Sequence, residues 1–297
     1  MSMFRNLVIA SQLDSALTFN IVAAEGADVL NIKTRGVSTL MIDWGDGSPL
    51  DLGTPATHTY AAGEYTLRLC AYTPATPIYV ILFDGSNVNI RSSNERWSAI
   101  YGLSVVSFQS CSNAECAFTS LPNGVNSTYS YTSAFYNCTN AVLPLRSLPI
   151  STNSMQNFAY NAQKALLPFN ELPPGLAGNH SGMFYNCREA TYTITHLPDG
   201  ITGLNNAFNN NKKATLRLSS LPPNITSMSL TFESSSLVMD LDEVAANAPD
   251  GGYAALTNLN STFYGCSGVT GSRSRFLAAC PNATTNNYTF AGTSTTE

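Results

Sequence analysis

Charge is what this chain has least of. Of 297 residues, 14 are Lys or Arg and 19 are Asp or Glu, 11% together, where a soluble domain ordinarily carries about 25%. The longest basic run is Lys212-Lys213. A nucleic-acid groove needs clustered cations to displace counterions from phosphates, so no nucleic-acid partner is expected. No stretch approaches the roughly 20 apolar residues of a membrane span, so no membrane insertion is expected either. The opening MSMFRNLVIASQLDSALTF has one short apolar run, Leu7 to Ala10, broken by Ser11, Gln12 and Asp14. A secretory segment needs about 7–15 apolar residues, so the expectation is a chain made and folded in a cytoplasm. Paired CxxC motifs are missing, and the cysteines are odd in number, seven, which argues against a zinc site and a closed disulfide framework. Histidine is scarce as well: His58, His180 and His196, none beside a Ser or Cys in a recognisable nucleophile elbow. The expectation is a protein with no catalytic residues, no metal and no cofactor.

What replaces the charge is Ser, Thr and Asn, on a background that is 44% hydrophobic and 10% aromatic. That is enough to build cores and excludes global disorder. The composition suits stacked turns and ladders better than charged helices.

The organisation comes from a repeat. Leu-Pro recurs at Leu121-Pro122, Leu148-Pro149, Leu172-Pro173, Leu197-Pro198 and Leu221-Pro222, with spacings of 27, 24, 25 and 24. Seven residues before each Leu stands an alanine: Ala114, Ala141, Ala165, Ala190 and Ala214. Further upstream is a phenylalanine: Phe108, Phe135, Phe158, Phe184 and Phe208. The gap from Phe to Ala is six residues, except for seven in the copy beginning Phe158. A unit of this length cannot bury its own apolar face, but stacked units bury one continuous core. The alternating stretches ATLRLSSLP and ATYTITHLP read as one short strand per coil, ended by a proline that has no N–H for the ladder. Segments such as GLNNAFNN suggest a helical or 3₁₀ turn on the back of each coil. Three residues after Phe stand Cys111, Cys138, Cys187 and Cys266, with Asn161 and Asn211 between, which reads as a small buried ladder position. Phe232 and Val238 keep the Phe-to-Ala spacing after the Leu-Pro signal stops. Asp240 or Asp242 is placed to cap a short helix, and the closing segment reads as a terminal cap.

The Phe-x2-Cys and Leu-Pro punctuation on this period resembles the BspA-type leucine-rich repeats of bacterial surface proteins and some phage proteins. The resemblance covers about residues 101–292 and implies adhesion or recognition of protein or glycan, without fixing a ligand.

Residues 1 to about 95 carry no such repeat. They read as short strands, LTFNIVA (17–23), VLNIKT (29–34), TLMIDW (39–44), YTLRLCAY (65–72) and PIYVILF (77–83), separated by turn residues as in a small β-sandwich. Ile42-Asp43-Trp44-Gly45-Asp46-Gly47, followed by His58-Thr59-Tyr60 and Gly63-Glu64-Tyr65, resembles the PKD-type immunoglobulin-like domain, which implies a spacer or docking module. Asp43, Asp46 and Asp51 admit two readings: a calcium site, or a turn capped by carboxylates, the second being the commoner.

The expected architecture is mainly β: an Ig-like (PKD-type) sandwich over residues 1–95, then a leucine-rich-repeat solenoid with a C-terminal cap over residues 96–297. Tyr136, Tyr185 and Tyr264 directly follow the repeat Phe. With Tyr192 they are the candidate binding residues, an exposed flat aromatic strip for glycan or protein contact. The function expected is that of a non-enzymatic phage virion protein, a tail- or capsid-associated fibre, tip or decoration. In it the N-terminal domain docks to other virion proteins and the solenoid contacts a host surface glycan or protein, with homo-oligomers an option. The alternative is a bacterial cell-surface adhesin; an accessory protein of a carbohydrate-active enzyme ranks below both.

Overall fold

The computed structural model describes residues 11–24, 28–73, 76–123 and 130–297, and the chain is mainly β. The segment read for a leader falls largely outside the described residues.

The N-terminal part is two facing sheets. One has the order β4-β3-β6-β1-β8, built from Asp51–Leu52, Leu40–Asp43, Gly63–Ala71, Leu17–Ala23 and Asn89–Ser93. The other has the order β5-β2-β7-β9, from Ala56–Tyr60, Asp28–Gly36, Ile78–Phe83 and Val105–Ser107. Strand β1 alternates burial along its length, Leu17, Phe19, Ile21 and Ala23 facing in, as a strand with one face on a core must. Phe19 meets Phe83 across the sheets at 5.1 Å, edge to face. All but one pairing here are antiparallel; the exception is β7 with β9, parallel through Val80↔Val105, Ile81↔Val106 and Leu82↔Ser107.

That exception joins the two parts of the molecule. From Phe108 onward the chain forms stacked coils, and each coil's Phe segment donates a row of N–H groups to the next. Tyr131, Ser133, Phe135 and Asn137 donate to Ser154, Gln156, Phe158 and Tyr160. Later rows repeat this down to Leu259, Ser261, Phe263 and Gly265, which donate to Thr285, Asn287, Thr289 and Ala291. The segment is neither helix nor strand. Its second and fourth members sit in the left-handed region, as in the pairs Ser133/Asn137, Asn157/Asn161, Asn206/Asn210 and Tyr288/Gly292, with φ of 53–75°. Asn and Gly tolerate that conformation best, which accounts for the asparagine-rich composition and replaces the helical turn expected from the sequence.

Phenylalanine rings run up the interior of the stack, from Phe108–Phe135 at 5.6 Å to Phe263–Phe290 at 5.9 Å. Beyond them, β10 (Gly178–Asn179) pairs in parallel with β12 (Ile201–Gly203). The strip β11-β13-β14-β15 is built from Thr193–Ile194, Thr215–Arg217, Leu237–Asp240 and Val269–Thr270. Before Thr193 the same strip is irregular yet bonded, Val142 N–H to Glu115 O and Leu166 N–H to Val142 O.

Two register readings change. In the coil with the seven-residue gap, Ala159 rather than Phe158 takes the backbone position of the repeat Phe, since Ala159 N–H donates to Met183 O as Phe184 N–H donates to Ala207 O. Asn161 therefore belongs to the left-handed ladder, and Ala162 takes the cysteine position. Val238 points outward at 49% exposure while Leu237 is buried at 1%, because Leu237 pairs with Leu216. As expected from the sequence, the Asp240 carboxylate caps the helix Leu241–Ala246 through Asp242 N–H.

The boundary near residue 95 lies inside one continuous core. Phe83 stacks on Phe108 at 4.9 Å. The thiol of Cys111 donates to Phe83 O at 2.9 Å, just as Cys138 donates to Phe108 O at 2.7 Å and Cys266 to Phe232 O at 2.8 Å. By both criteria β7 serves as the coil before the first.

Candidate functional site

Each tyrosine of the expected strip has a definite place. Tyr136, Tyr160 and Tyr185 form a ring stack across three coils, at 5.1 Å between the first two and 4.4 Å between the last two. Tyr160 enters because of the register shift: counted from Ala159, it too follows the repeat position. All three are half-buried. Stacking changes what they offer, because both faces of the Tyr160 ring are covered by its neighbours. Partial burial and then the flanking tyrosines hold the Tyr160 phenol above its ordinary pKa. Tyr160 therefore presents only its ring edge and hydroxyl, not the flat face that sugar stacking needs. Tyr264 is exposed but stands three coils from Tyr185, beyond Asn209 and Glu233 at the equivalent positions.

Tyr192 is a correction. It is 0% exposed, packed between Phe169 at 5.3 Å and Phe184 at 5.2 Å, and its hydroxyl accepts from Asn211 Nδ2 at 2.8 Å. It lies in the strand strip after the repeat alanine, where alternation turns it inward.

Beside the tyrosine stack runs an amide ladder. Asn161 Nδ2 donates to Asn137 Oδ1, Asn186 Nδ2 to Asn161 Oδ1 at 2.8 Å, and Asn210 Nδ2 to Asn186 Oδ1 at 2.7 Å. Sequence reading missed this ladder; the signal was an Asn two residues after Phe.

A groove of about 920 Å³ crosses four coils at their Leu-Pro corners, within the range of ligand-binding clefts. It arises because Leu121, Leu148, Leu172 and Leu197 turn inward while a proline next to each cannot bridge to a neighbouring coil. Its rim carries Ile150, 66% exposed, with Glu171, His196 and Asp199 also exposed. Sequence reading noted His196 beside a Leu-Pro without seeing the cleft.

In the sandwich, the three carboxylates of the WGDG region are committed to protein partners. Asp43 accepts from Gly45 N–H at 3.0 Å and pairs with Arg68 at 2.9 Å. Asp51 accepts from Trp44 Nε1 at 2.9 Å. Asp46 accepts from Ser48 N–H at 3.0 Å and meets His58 Nε2 at 2.8 Å. Partial burial pushes the Asp46 carboxyl up, but the Ser48 and His58 contacts outweigh it and hold it at about 2. Gly45, at φ 80°, is required: a Cβ there would lie 2.3 Å from Thr66 O. His58 stacks on Trp44 at 4.6 Å. The arrangement braces a turn.

His180 is a structural acceptor. Fully buried, its Nδ1 accepts from Met155 N–H at 3.2 Å, taking the place a carbonyl holds in the other rows. The ring proton therefore sits on Nε2, which has no partner. Burial drives its pKa down to about 4; the Ala177 backbone opposes this in part, without completing a bond to Nε2. The seven cysteines are free and buried; burial raises each thiol, Cys111 to about 12, which leaves them unreactive. No family model, no curated protein and no solved structure matches the chain.

Proposed function

We propose that this chain is a non-enzymatic recognition protein of a phage particle, a fibre, tip or decoration. In this reading a PKD-type immunoglobulin-like domain docks to other virion proteins, and a BspA-type leucine-rich-repeat solenoid contacts a host surface protein or glycan. The observation that carries the reading is the groove across four coils. A cleft repeated in register suits an elongated ligand, with Ile150 for apolar contact and Glu171, His196 and Asp199 for polar ones.

Docking by the sandwich has its own support. Val37, 76% exposed, and Leu52, Tyr72 and Tyr101, also exposed, gather at one end. Val37 N–H donates to Pro77 O, Ile78 N–H to Tyr101 O and Tyr72 N–H to Thr39 O. This is where β7 begins, opposite the end where Phe83 meets the coils. Exposed apolar clusters of this kind mark interaction sites.

The test is binding of purified protein to whole bacterial cells and to extracted surface polysaccharide. Saturable binding to cells of one host, weakened by Ile150→Asp, is the expected result. Assembly onto a particle with no affinity for any cell would replace recognition by a purely structural role.

A further inference from the structure

One coil beyond the groove, the chain covers its own Leu-Pro corner. At Leu221 the leucine N–H donates to Tyr253 Oη at 3.1 Å, and Asn247 Nδ2 donates to Ser219 O at 3.0 Å. Both partners follow the helix Leu241–Ala246, in the stretch that stands where a further Leu-Pro is missing. In the coils before it the equivalent groups are the N–H of Leu148, Leu172 and Leu197 and the carbonyls of Arg146, Asn170 and Thr195. Among the described residues none of these six groups is hydrogen-bonded. Charge separates the covered corner from the open ones. The covering segment is acidic, with Asp242, Glu243 and Asp250, and it lies on the uncharged Ser219 and Ser220. The open groove carries Glu171 and Asp199, and its lining contains no Lys or Arg; Arg146 is exposed but stands outside that lining. Elsewhere in the stack the carboxylates of Glu115, Glu189, Glu233 and Asp242 hold side-chain partners. Among the described residues those of Glu171 and Asp199 hold none.

We infer that the groove takes an extended polypeptide segment of a partner protein, one that carries lysine or arginine among apolar residues. Its polar groups meet the free leucine N–H groups and corner carbonyls, and its cations meet Glu171 and Asp199. Its apolar side chains meet Ile150 and the leucine floor. A polypeptide is favoured because a polypeptide already fills the next corner, and because the lining holds no aromatic ring for a sugar to stack on. Four coils span about 15–19 Å, the reach of about six extended residues. A lining with two carboxylates and no cation repels phosphate- and carboxylate-bearing polymers. The inference rests on the groove being the recognition surface, and it narrows the ligand from protein or glycan to a basic protein segment.

The experiment selects binders to the full-length protein from a library of random eight-residue peptides. Binding to bacterial cells is measured alongside, before and after the cells are treated with protease or with periodate. The selected peptides should combine Lys or Arg with apolar residues. Glu171→Gln or Asp199→Asn should weaken their binding about tenfold, while Asp250→Asn, the same charge change outside the groove, leaves it unaltered. Cell binding should be lost after protease and survive periodate. Selected peptides without basic residues, or no selected peptide, would overturn the proposal. Cell binding removed by periodate and not by protease would also overturn it, leaving the recognition reading in place. Peptide binding of the expected kind without attachment to any cell would support the peptide site and overturn host recognition instead.

Discussion

The sandwich and the stack solve one problem in opposite ways. In the sandwich each strand meets a different sequence, so a polar side chain finds a partner of another kind: Trp44 with Asp51, Asp46 with His58, Arg68 with Asp43. In the stack each position meets its own equivalent one coil away, so groups must be self-complementary, as amide on amide, ring on ring and thiol on carbonyl are. A chain built on the second rule needs few ions, and this explains the low charge better than any property of a ligand does. It also implies that damage in the stack strikes a ladder rather than a pair.

The largest effect expected of this difference is at the junction. Deleting residues 1–95 removes β7, and with it Phe83 from the Phe ladder and the acceptor of the Cys111 thiol. The remaining chain is expected to lose its cooperative melting transition, read by circular dichroism. A sharp transition near that of the intact protein would show that the first coil does not depend on β7.

Next comes Asn186→Val. It puts a β-branched residue at φ 59° and cuts the amide ladder on both sides. The left-handed conformation and the lost bonds together cost about 2–4 kcal/mol. Asn20→Val, on an exposed strand position bonded to Ser92, should stay within about 1 kcal/mol. Urea midpoints of the two variants compare the regions directly.

Acid separates them by pH. His180 has a folded pKa of about 4, below its ordinary 6.5, so the unfolded chain takes up the proton first. Its contribution is complete above 6.5 and is lost as pH falls toward 4. Asp46, at about 2 against 3.8, contributes above 3.8 and loses this as pH falls toward 2. Stability measured from pH 7 downward should fall first through the stack, and His180→Gln should remove that early phase. An unchanged early phase in the variant would mean another group titrates there.

The smallest effect is expected at the thiol ladder. Cys187→Ser keeps a donor to Ala159 O, as Ser235 does to Phe208 O, and should change stability by less than about 1 kcal/mol. Cys187→Val removes that bond while Ala159 O keeps the one from Ala162 N–H, and should cost about 1 kcal/mol more than Cys187→Ser. Equal melting temperatures for the two would deny the bond any role.

How much of this was legible follows from the same contrast. Strands β1, β3, β6 and β7 stood out because apolar and polar residues alternate or run together, and the coil period stood out because Phe, Ala and Leu-Pro recur. The left-handed pairs did not, since Asn, Ser, Gly, Leu and Tyr all occupy them and no single residue type marks them. The role of Phe83 as a coil before the first was hidden because β7 reads as an ordinary strand with no Leu-Pro after it. Tyr136, Tyr185 and Tyr264 were placed on the surface by their spacing. Spacing gives neither the insertion that brings Tyr160 between the first two nor the inward turn of Tyr192. The groove was invisible because it is made by what prolines fail to bond.

The division of labour between the two regions is tested most directly by measuring cell binding for two surface variants side by side, Ile150→Asp in the groove and Val37→Asp at the far end of the sandwich. The account predicts that the first loses binding to host cells while the second retains it. Retention by the first with loss by the second would contradict it and place recognition on the sandwich.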